Sequence, residues 1–447
     1  MVVEEFSRNV ALWGEACQDS LERFSAGIIG ATPAAYLLTV CLLSLGVGKV
    51  LIVDNARAGK KSAGPVAVRK GASLVKAWET HFNSLFPLSE TVGYHSPPLE
   101  AVLYREMPHM LFDLSANPRS NAGLAALARR YRVPLYTGML AGGRVMLVRG
   151  PFTGETSLSV RERESPLDGI LAALCAEEAR KHAFILPSSG VGMGDSPLSP
   201  GETLCVAPLE GCSSRDERRM KKKRVLLAGA GALGMMAALA LSAGRPLRMD
   251  IYDPDSVEAS NLNRQFIYRG HEGEKKASVL ADELSRRDRR SDIRAFGAAV
   301  DDALLAGLEE QYDVVLSCVD TISGRMALSR YAAERRVPLL NCGTSSLGGT
   351  LQAYIPGKTA CLSCQAGLEA LLDDERRLDE ERGCAAASPS VIMPNMAMGS
   401  LMALYAGLLL DGEELPASSA RYHSFSRERL SFEERTMLQK DGCPWCV

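Results

Sequence analysis

Three glycines in the spacing G-x-G-x-x-G constrain the fold of this chain more than any other feature. Gly229, Gly231 and Gly234 follow a short apolar run, and an Ala- and Leu-rich segment follows them. This pattern is typical of a β-strand, a tight turn and an α-helix in a parallel α/β sheet. Glycines let the backbone of such a turn approach a phosphate closely, and the N–H groups that begin the helix favour an anion. The sequence therefore predicts an α/β protein with a nucleotide-binding turn.

The residues after the turn indicate which nucleotide is bound. A second predicted strand ends at Asp253, about twenty residues on, where a carboxylate can bind ribose hydroxyl groups. Two cations follow, Arg264 within the run Ser-Asn-Leu-Asn-Arg-Gln and then Lys276. A dehydrogenase has no use for cations there, whereas a nucleoside triphosphate needs them for its outer phosphates. We therefore expect ATP rather than NAD.

A further carboxylate, Asp320, follows the strand predicted over 313–318. In an open parallel sheet, ligands bind at the carboxyl ends of the strands, which is where this residue lies. A carboxylate there can hold Mg²⁺ that bridges phosphate oxygens. The alternative is that Asp320 caps the helix that follows.

Two C-x-x-C pairs predict a metal site near the end of the chain. They are Cys361 with Cys364 and Cys443 with Cys446. Four thiolates on two tight turns form a closed tetrahedral site for Zn²⁺ with a structural role. The second pair could instead be a redox pair of the thioredoxin type, but such a pair usually opens a helix after a strand.

The run Asp253–Gln265, Lys276 and the motif Cys318–Thr321 together resemble, in the same order, the family of ubiquitin-activating enzymes and the sulfur-carrier adenylyltransferases ThiF and MoeB. The resemblance supports the zinc site and implies that ATP is bound by Gly229, Gly231, Gly234, Asp253, Asn261, Arg264, Gln265, Lys276, Asp320 and Thr321. The family commonly has Asn where this chain has Thr321, which puts a base or ribose contact in doubt rather than the chemistry.

The first part of the chain repeats the second, and 447 residues are enough for two domains. An offset of 199 residues takes Gly30 to Gly229 and Asp54 to Asp253, but the cationic run has no counterpart in the first copy. We expect tandem Rossmann-like ThiF-type domains. They comprise a degenerate adenylation domain over 1–150, an irregular excursion and linker with one helix over 151–223, and an active adenylation domain over 224–447 that carries the zinc site.

This pairing resembles the fused inactive and active domains of ubiquitin-activating enzymes, which would make the chain a fused pseudo-dimer. The opening segment Phe6–Glu15 is similar to the start of their first half. By that match, Arg8 reaches the ATP of the second half as an arginine finger. The alternative is a surface cation on an N-terminal helix.

Cys384 lies where an acidic helical segment ends and a run of small residues begins. In the family, a cysteine at this position captures the activated acyl group; the alternative is an ordinary buried cysteine. The implied reaction uses ATP and Mg²⁺ to adenylate the C-terminal carboxylate of a ubiquitin-like protein, with Arg264, Lys276 and Arg8 offsetting phosphate charge. Cys384 then stores the acyl group as a thioester for a conjugating enzyme.

Three other functions stay open: a sulfur-carrier adenylyltransferase, an enzyme that modifies a ribosomal peptide, and a scaffold that only binds nucleotide. A net charge of -2 gives no electrostatic reason to bind nucleic acid or membrane. The apolar stretches Phe24–Gly48 and Gly383–Leu410 are expected to be buried segments. The N-terminus does not resemble a secretory signal, and the twelve cysteines then favour a reducing, cytoplasmic location.

Overall fold

The computed structural model describes residues 4–58, 66, 68–96, 100–115, 117–141, 143–151, 165–185, 197–206, 222–243, 245–366, 389–423, 430–433 and 442–446. The chain divides into two compact units. The first unit consists of Met1–Glu210, Leu262–Phe266 and Pro389–Met393, and the second of Gly211–Asn261, Ile267–Ser388 and Pro394–Val447.

The first unit is built on a sheet of seven strands: β1 (Ser25–Ile29), β2 (Lys49–Asp54), β3 (Glu90–His95), β4 (Met110–Asp113), β5 (Leu135–Ala141), β6 (Arg144–Arg149) and β7 (Thr203–Val206). The strand order is β3-β2-β1-β4-β5-β6-β7. The first five strands in this order are parallel, and β6 and β7 add to the edge in antiparallel orientation. The sequence does not predict β7.

The described helices of the first unit are α1 (Ser7–Trp13), α2 (Glu15–Glu22), α3 (Pro33–Leu45), α4 (Leu74–Leu85), α5 (Glu100–Glu106), α6 (Pro118–Tyr131) and α7 (Pro166–Ile185). The sequence predicts α7 within 151–223. In the structure this helix packs on α3, β5 and β6. The apolar stretch 24–48 forms β1 and α3, both of which are buried.

The second unit contains a sheet of eight strands: β8 (Lys223–Ala228), β9 (Leu247–Tyr252), β10 (Asp292–Phe296), β11 (Val314–Ser317), β12 (Leu339–Thr344), β13 (Gly348–Tyr354), β14 (Ser419–His423) and β15 (Leu430–Glu433). Its order is β10-β9-β8-β11-β12-β13-β14-β15. The first five strands in this order are again parallel, and the last three are antiparallel. The α/β class predicted from the sequence is therefore confirmed, with two sheets that are mainly parallel.

The described helices of the second unit are α8 (Ala232–Ser242), α9 (Lys276–Arg287), α10 (Asp302–Ala306), α11 (Ile322–Arg335), α12 (Leu362–Ala366) and α13 (Ile392–Asp411), whose first residues belong to the first unit. Among the described helices, α13 alone is long and apolar enough to cross a membrane, and 89% of its 18-residue apolar stretch is buried. A core helix meets the same criteria, so this composition is weak evidence for a membrane span.

The first seven strands of both sheets follow the same order. In each sheet the chain moves outward from one central strand and then returns to the other side of it, to β4 beside β1 and to β11 beside β8. At such a switch point the loops after neighbouring strands separate and leave a crevice at their carboxyl ends. In the second unit, this edge receives the glycine turn after β8, Asp253 after β9 and Asp320 after β11.

Candidate functional site

The glycine turn after β8 is held in a form that only glycine allows. Gly229 has φ +94°, and a Cβ atom there would lie 2.6 Å from the carbonyl oxygen of Cys318. A Cβ on Gly234 would lie 1.9 Å from the carbonyl oxygen of Gly229. Gly231 is the N-cap of α8, and among the described residues no side chain caps this helix. The N-terminus of α8 therefore offers backbone N–H groups and a favourable dipole to an anion.

Asp253 fixes the shape of this turn. Its Oδ2 accepts a hydrogen bond from the backbone N of Ala230 at 2.6 Å, and its Oδ1 accepts one from the backbone N of Asp255 at 2.8 Å. Burial raises the pKa of Asp253, and the two backbone donors partly offset that rise. Each carboxylate oxygen has a second lone pair, so the side chain can hold the turn and still accept from a ribose hydroxyl group.

The first unit contains the same arrangement with a different helix cap. Asp54 accepts hydrogen bonds from the backbone N of Ala31 and of Ala56, each at 2.6 Å. Thr32, however, stands at the N-cap of α3, where its Oγ1 accepts from the backbone N of Ala35 at 3.3 Å. The threonine hydroxyl group thus satisfies a backbone N–H group of α3, whereas α8 has no side-chain cap within the described residues.

Lys276 is the first residue of α9, and its side chain is 8% exposed. Its Nζ forms an ion pair with Oδ2 of Asp255 at 2.8 Å, and its backbone N donates to the carbonyl oxygen of Asp255 at 3.1 Å. Sequence reasoning missed Asp255 as a partner, although the D-x-D spacing with Asp253 could have revealed it. The pair keeps a nearly buried cation beside the turn.

Asn261 ends a short 3₁₀ helix, Ala259–Asn261, and is buried. Its Nδ2 donates to Oγ of Ser260 at 3.3 Å, while its Oδ1 has no hydrogen-bond partner among the described residues. A buried acceptor without a donor costs about 1–3 kcal/mol. A ligand that supplied a donor at this oxygen would remove that cost.

Asp320 lies after β11 and is exposed. Thr321 is the N-cap of α11, since its Oγ1 accepts from the backbone N of Gly324 at 3.3 Å. The residue that caps the helix is therefore Thr321 and not Asp320. Within the described part of the chain, the Asp320 carboxylate makes no hydrogen bond or ion pair, so it is available to a ligand.

Arg264 and Gln265 belong to the first unit in the structural division. Nη1 of Arg264 donates to Oδ1 of Asn263 at 2.7 Å, and both residues are buried. Gln265 is also buried, and its Oε1 has no partner among the described residues. The contacts of both residues with a nucleotide stay predictions.

Asn263 connects three distant parts of the first unit. Its Nδ2 donates to Oδ1 of Asn9 at 2.7 Å and to the carbonyl oxygen of Ser390 at 2.8 Å. Asn9 lies in α1 next to Arg8, which is partly buried. The α1 helix is thereby linked to the residue before Arg264, a connection that no local sequence pattern reveals. The role of Arg8 as an arginine finger stays a prediction.

The structure brings together the four cysteines of the two C-x-x-C pairs. The sulfur atoms of Cys361, Cys364, Cys443 and Cys446 all lie within 4.8 Å of one another. The Sγ atoms of Cys361 and Cys443 are 3.7 Å apart, and those of Cys364 and Cys446 are 3.6 Å apart. The hydroxyl group of Tyr354 also donates to the carbonyl oxygen of Trp445 at 2.7 Å. Cys384 lies outside the described residues.

Comparisons with known proteins agree with these motifs. The sequence model of the ThiF family matches residues 206–445. The molybdopterin-synthase adenylyltransferase of Escherichia coli is 28% identical over 242 residues, which are 53% of this chain and 92% of that protein. The ubiquitin-like modifier-activating enzyme 5 of Drosophila virilis is 31% identical over 193 residues, which are 40% of this chain and 48% of that protein.

A partial structural match is found with E. coli MccB, solved with AMPCPP and MccA. It is 20% identical, with a TM-score of 0.43, over 50% of this chain and 67% of that one. A likeness of this degree does not bear on function.

Proposed function

The chain belongs to the ThiF family, whose model matches more than half of it, and we propose on this premise that it uses ATP to adenylate the C-terminal carboxylate of a carrier protein. The observation that most supports the proposal is the uncapped N-terminus of α8 with the nearly buried Lys276 in the same unit. A carboxylate oxygen attacks the α-phosphorus of ATP, the bond to the β-phosphate breaks, and pyrophosphate leaves. The product is an acyl-adenylate.

The residues of the second unit suit the parts of ATP. The N–H groups of α8 and the Lys276 ammonium group would bind phosphate oxygens, and Asp253 would accept from the ribose. Asp320 would hold Mg²⁺, since its carboxylate is exposed and has no partner within the described residues. When bound, Mg²⁺ neutralises charge that develops on the phosphates. Arg264 and Arg8 retain the roles that the family resemblance implies.

We propose further that the carrier is a ubiquitin-like protein and that the chain is a fused pair of related domains. The fused pair is supported by the shared strand order of the two sheets and by the shared hydrogen bonds of Asp54 and Asp253. The carrier is supported by the match with the ubiquitin-like modifier-activating enzyme 5 of Drosophila virilis. The Cys384 thiolate would then attack the carbonyl carbon of the acyl-adenylate, and AMP would leave as the carbon–oxygen bond breaks. A conjugating enzyme would accept the resulting thioester.

The four-cysteine cluster is proposed to bind zinc. Zn–S bonds of about 2.3 Å in a tetrahedral site place the sulfur atoms about 3.8 Å apart. The separations of 3.6 Å and 3.7 Å in this structure are close to that value. With four thiolates the site has no position for water, so the metal would tie the segment 442–446 to the residues after β13.

A second candidate is a sulfur-carrier adenylyltransferase. It is favoured by the match with the E. coli molybdopterin-synthase adenylyltransferase, which extends over 92% of that protein. In this case sulfur from a separate sulfur donor would be transferred to the carbonyl carbon of the acyl-adenylate, AMP would leave, and the product would be a thiocarboxylate. No conjugating enzyme would be needed.

The test is ATP–pyrophosphate exchange with purified protein, Mg²⁺ and a panel of ubiquitin-like and sulfur-carrier proteins. We expect exchange with one class of carrier and, on a non-reducing gel, a thiol-sensitive conjugate that Cys384→Ala abolishes while exchange persists. Exchange without a conjugate would favour the sulfur-carrier candidate. Absence of exchange with every carrier would refute the adenylation proposal.

A further inference from the structure

Arg325 lies where a helix disfavours a cation. It is the fourth residue of α11, and the positive end of the helix dipole is at this end. The side chain is half-buried. Within the described part of the chain, no carboxylate forms an ion pair with it, and Asp320, five residues earlier, does not contact it. A cation placed against the dipole and without a counter-ion indicates an anionic ligand.

The guanidinium group is held in place by the ends of β11 and β12. Its Nε donates to the carbonyl oxygen of Val319 at 3.1 Å. A Cβ atom on Gly343 would lie 3.0 Å from Nη2 and 3.3 Å from Nη1, so any larger residue there would displace the guanidinium group. Burial raises the pKa of the Cys342 thiol to about 12, and the charge of Arg325 partly counters that rise. Nε and the side of the guanidinium group that faces Gly343 are thus fixed. Within the described residues the two Nη atoms have no hydrogen-bond partner, so they can bind a ligand.

The order of the strands indicates which anion this is. Along the carboxyl edge, Asp253 follows β9, the glycine turn follows β8 and Asp320 follows β11. The guanidinium group of Arg325 lies against Gly343, near the end of β12. Neighbouring strands are about 4.8 Å apart, so the end of β12 lies about 10 Å from the turn. A nucleotide with its ribose at Asp253 and its phosphates at the turn leaves the β12 side of the edge to the second reactant.

We propose that Arg325 binds the C-terminal carboxylate of the acyl substrate, an inference that rests on the proposed adenylation. Arginine suits this role because its planar fork binds a carboxylate through two charge-assisted hydrogen bonds. It holds one oxygen while the other attacks the α-phosphorus. After pyrophosphate leaves, the same donors bind the carbonyl oxygen of the acyl-adenylate.

The experiment measures recognition of the carboxylate without catalysis. The probe is the tightest-binding carrier of the panel, prepared with a free C-terminal carboxylate and, by intein ligation, with a C-terminal carboxamide. Calorimetry without ATP gives both affinities for the wild type, Arg325→Met and Arg325→Lys. The matched control is Arg330→Met on the same helix, because Arg330 is satisfied by Asp302 through bonds of 2.9 Å and 2.6 Å.

We expect the wild type and Arg330→Met to prefer the free acid by at least tenfold, because each of the two hydrogen bonds gains about 1 kcal/mol when its acceptor is charged. Arg325→Met should remove the preference, and Arg325→Lys should keep part of it. In pyrophosphate exchange, Arg325→Met should raise KM for the carrier at least tenfold and leave KM for ATP unchanged.

An unchanged acid preference in Arg325→Met would overturn the proposal. A rise in KM for ATP alone would also overturn it, by assigning Arg325 to a phosphate. A lower melting temperature with both preference and KM unchanged would leave Arg325 a structural role only. An acid preference that depends on Arg325 in a protein without exchange activity would refute the adenylation proposal but not carboxylate binding.

Discussion

The variant Gly234→Ala tests whether the glycine turn is as tightly packed as its geometry indicates. The new Cβ would lie 1.9 Å from the carbonyl oxygen of Gly229, whereas ordinary contacts begin at 3.4 Å. Helix α8 and the carbonyl group of Gly229 would have to separate by roughly 1.5 Å. Overpacking of this kind costs about 3 kcal/mol at the upper end of its range. Alanine restores about 1 kcal/mol of helix propensity, which leaves a net loss of about 2 kcal/mol.

The assays are the free energy of unfolding from urea denaturation and the Kd for ATP from calorimetry. We expect the loss of stability together with an ATP affinity at least tenfold lower, because the displaced carbonyl group belongs to the turn. The control is Gly407→Ala within α13, where a Cβ would meet, among the described residues, only Nη2 of Arg245 at 3.4 Å. That variant should gain about 0.5–1 kcal/mol and bind ATP normally. Unchanged stability and affinity in Gly234→Ala would refute the packing argument.

Three other measurements bear on separate parts of the molecule. Elemental analysis should find one zinc ion per chain, and Cys446→Ser should lose it together with thermal stability; a fully stable, metal-free wild type would contradict the assignment. Burial lowers the pKa of His182 to about 4. As the pH falls, the unfolded chain therefore binds a proton near pH 6.5, whereas the native state binds it only near pH 4, and the free energy of unfolding should decrease from pH 6.5 to pH 4. Solvent screening of this partly buried ring reduces the loss of unfolding free energy to about 1–2 kcal/mol. In His182→Gln, the urea concentration at the midpoint of unfolding should stay nearly constant over that pH range, and a decrease equal to that of the wild type would contradict the reasoning. Asp255→Asn leaves Lys276 without its carboxylate, so the free energy of unfolding should fall by about 1 kcal/mol. ATP should then raise the melting temperature more than in the wild type, because its phosphate would replace the lost partner of Lys276. An equal rise in both proteins would show that the ammonium group does not bind phosphate.

Local patterns predicted the parts of the fold that depend on neighbours in sequence. The strand–turn–helix around Gly229, the strand before Asp253 and the strand before Asp320 all lie where hydrophobic periodicity places them. The spacing within each C-x-x-C pair also sufficed to predict that Cys361 and Cys443 meet, although 82 residues separate them. In both cases the sequence pattern specifies the geometry almost completely.

Contacts between distant segments were not predictable in this way. Asn263 joins α1 and Ser390, and Arg325 fits against Gly343, but neither pairing has a fixed spacing in the chain. The cap of α11 was ambiguous because Asp320 and Thr321 are both good N-cap residues. Only the backbone direction after β11 decides that the threonine hydroxyl faces the helix.

The two turns differ in a way that a constant sequence offset does not detect. In the second unit an isolated bridge joins Ser256 to Lys275, and in the first unit the corresponding bridge joins Arg57 to Ser73. Aligned on these bridges, Lys276 corresponds to Leu74, the buried first residue of α4.

The backbone hydrogen bonds support this alignment. The N of Lys276 donates to the carbonyl oxygen of Asp255, and the N of Leu74 donates to that of Ala56. The first unit thus keeps the carboxylate that shapes the turn, Asp54, but has an apolar pair where the second unit has an ion pair. Asp54 and Asp253 accept the same backbone hydrogen bonds. A carboxylate after the second strand therefore predicts the shape of the turn, but it does not predict whether the turn binds a nucleotide. The ion pair of Lys276 with Asp255 and the uncapped α8 are the features that distinguish the turn proposed to bind ATP.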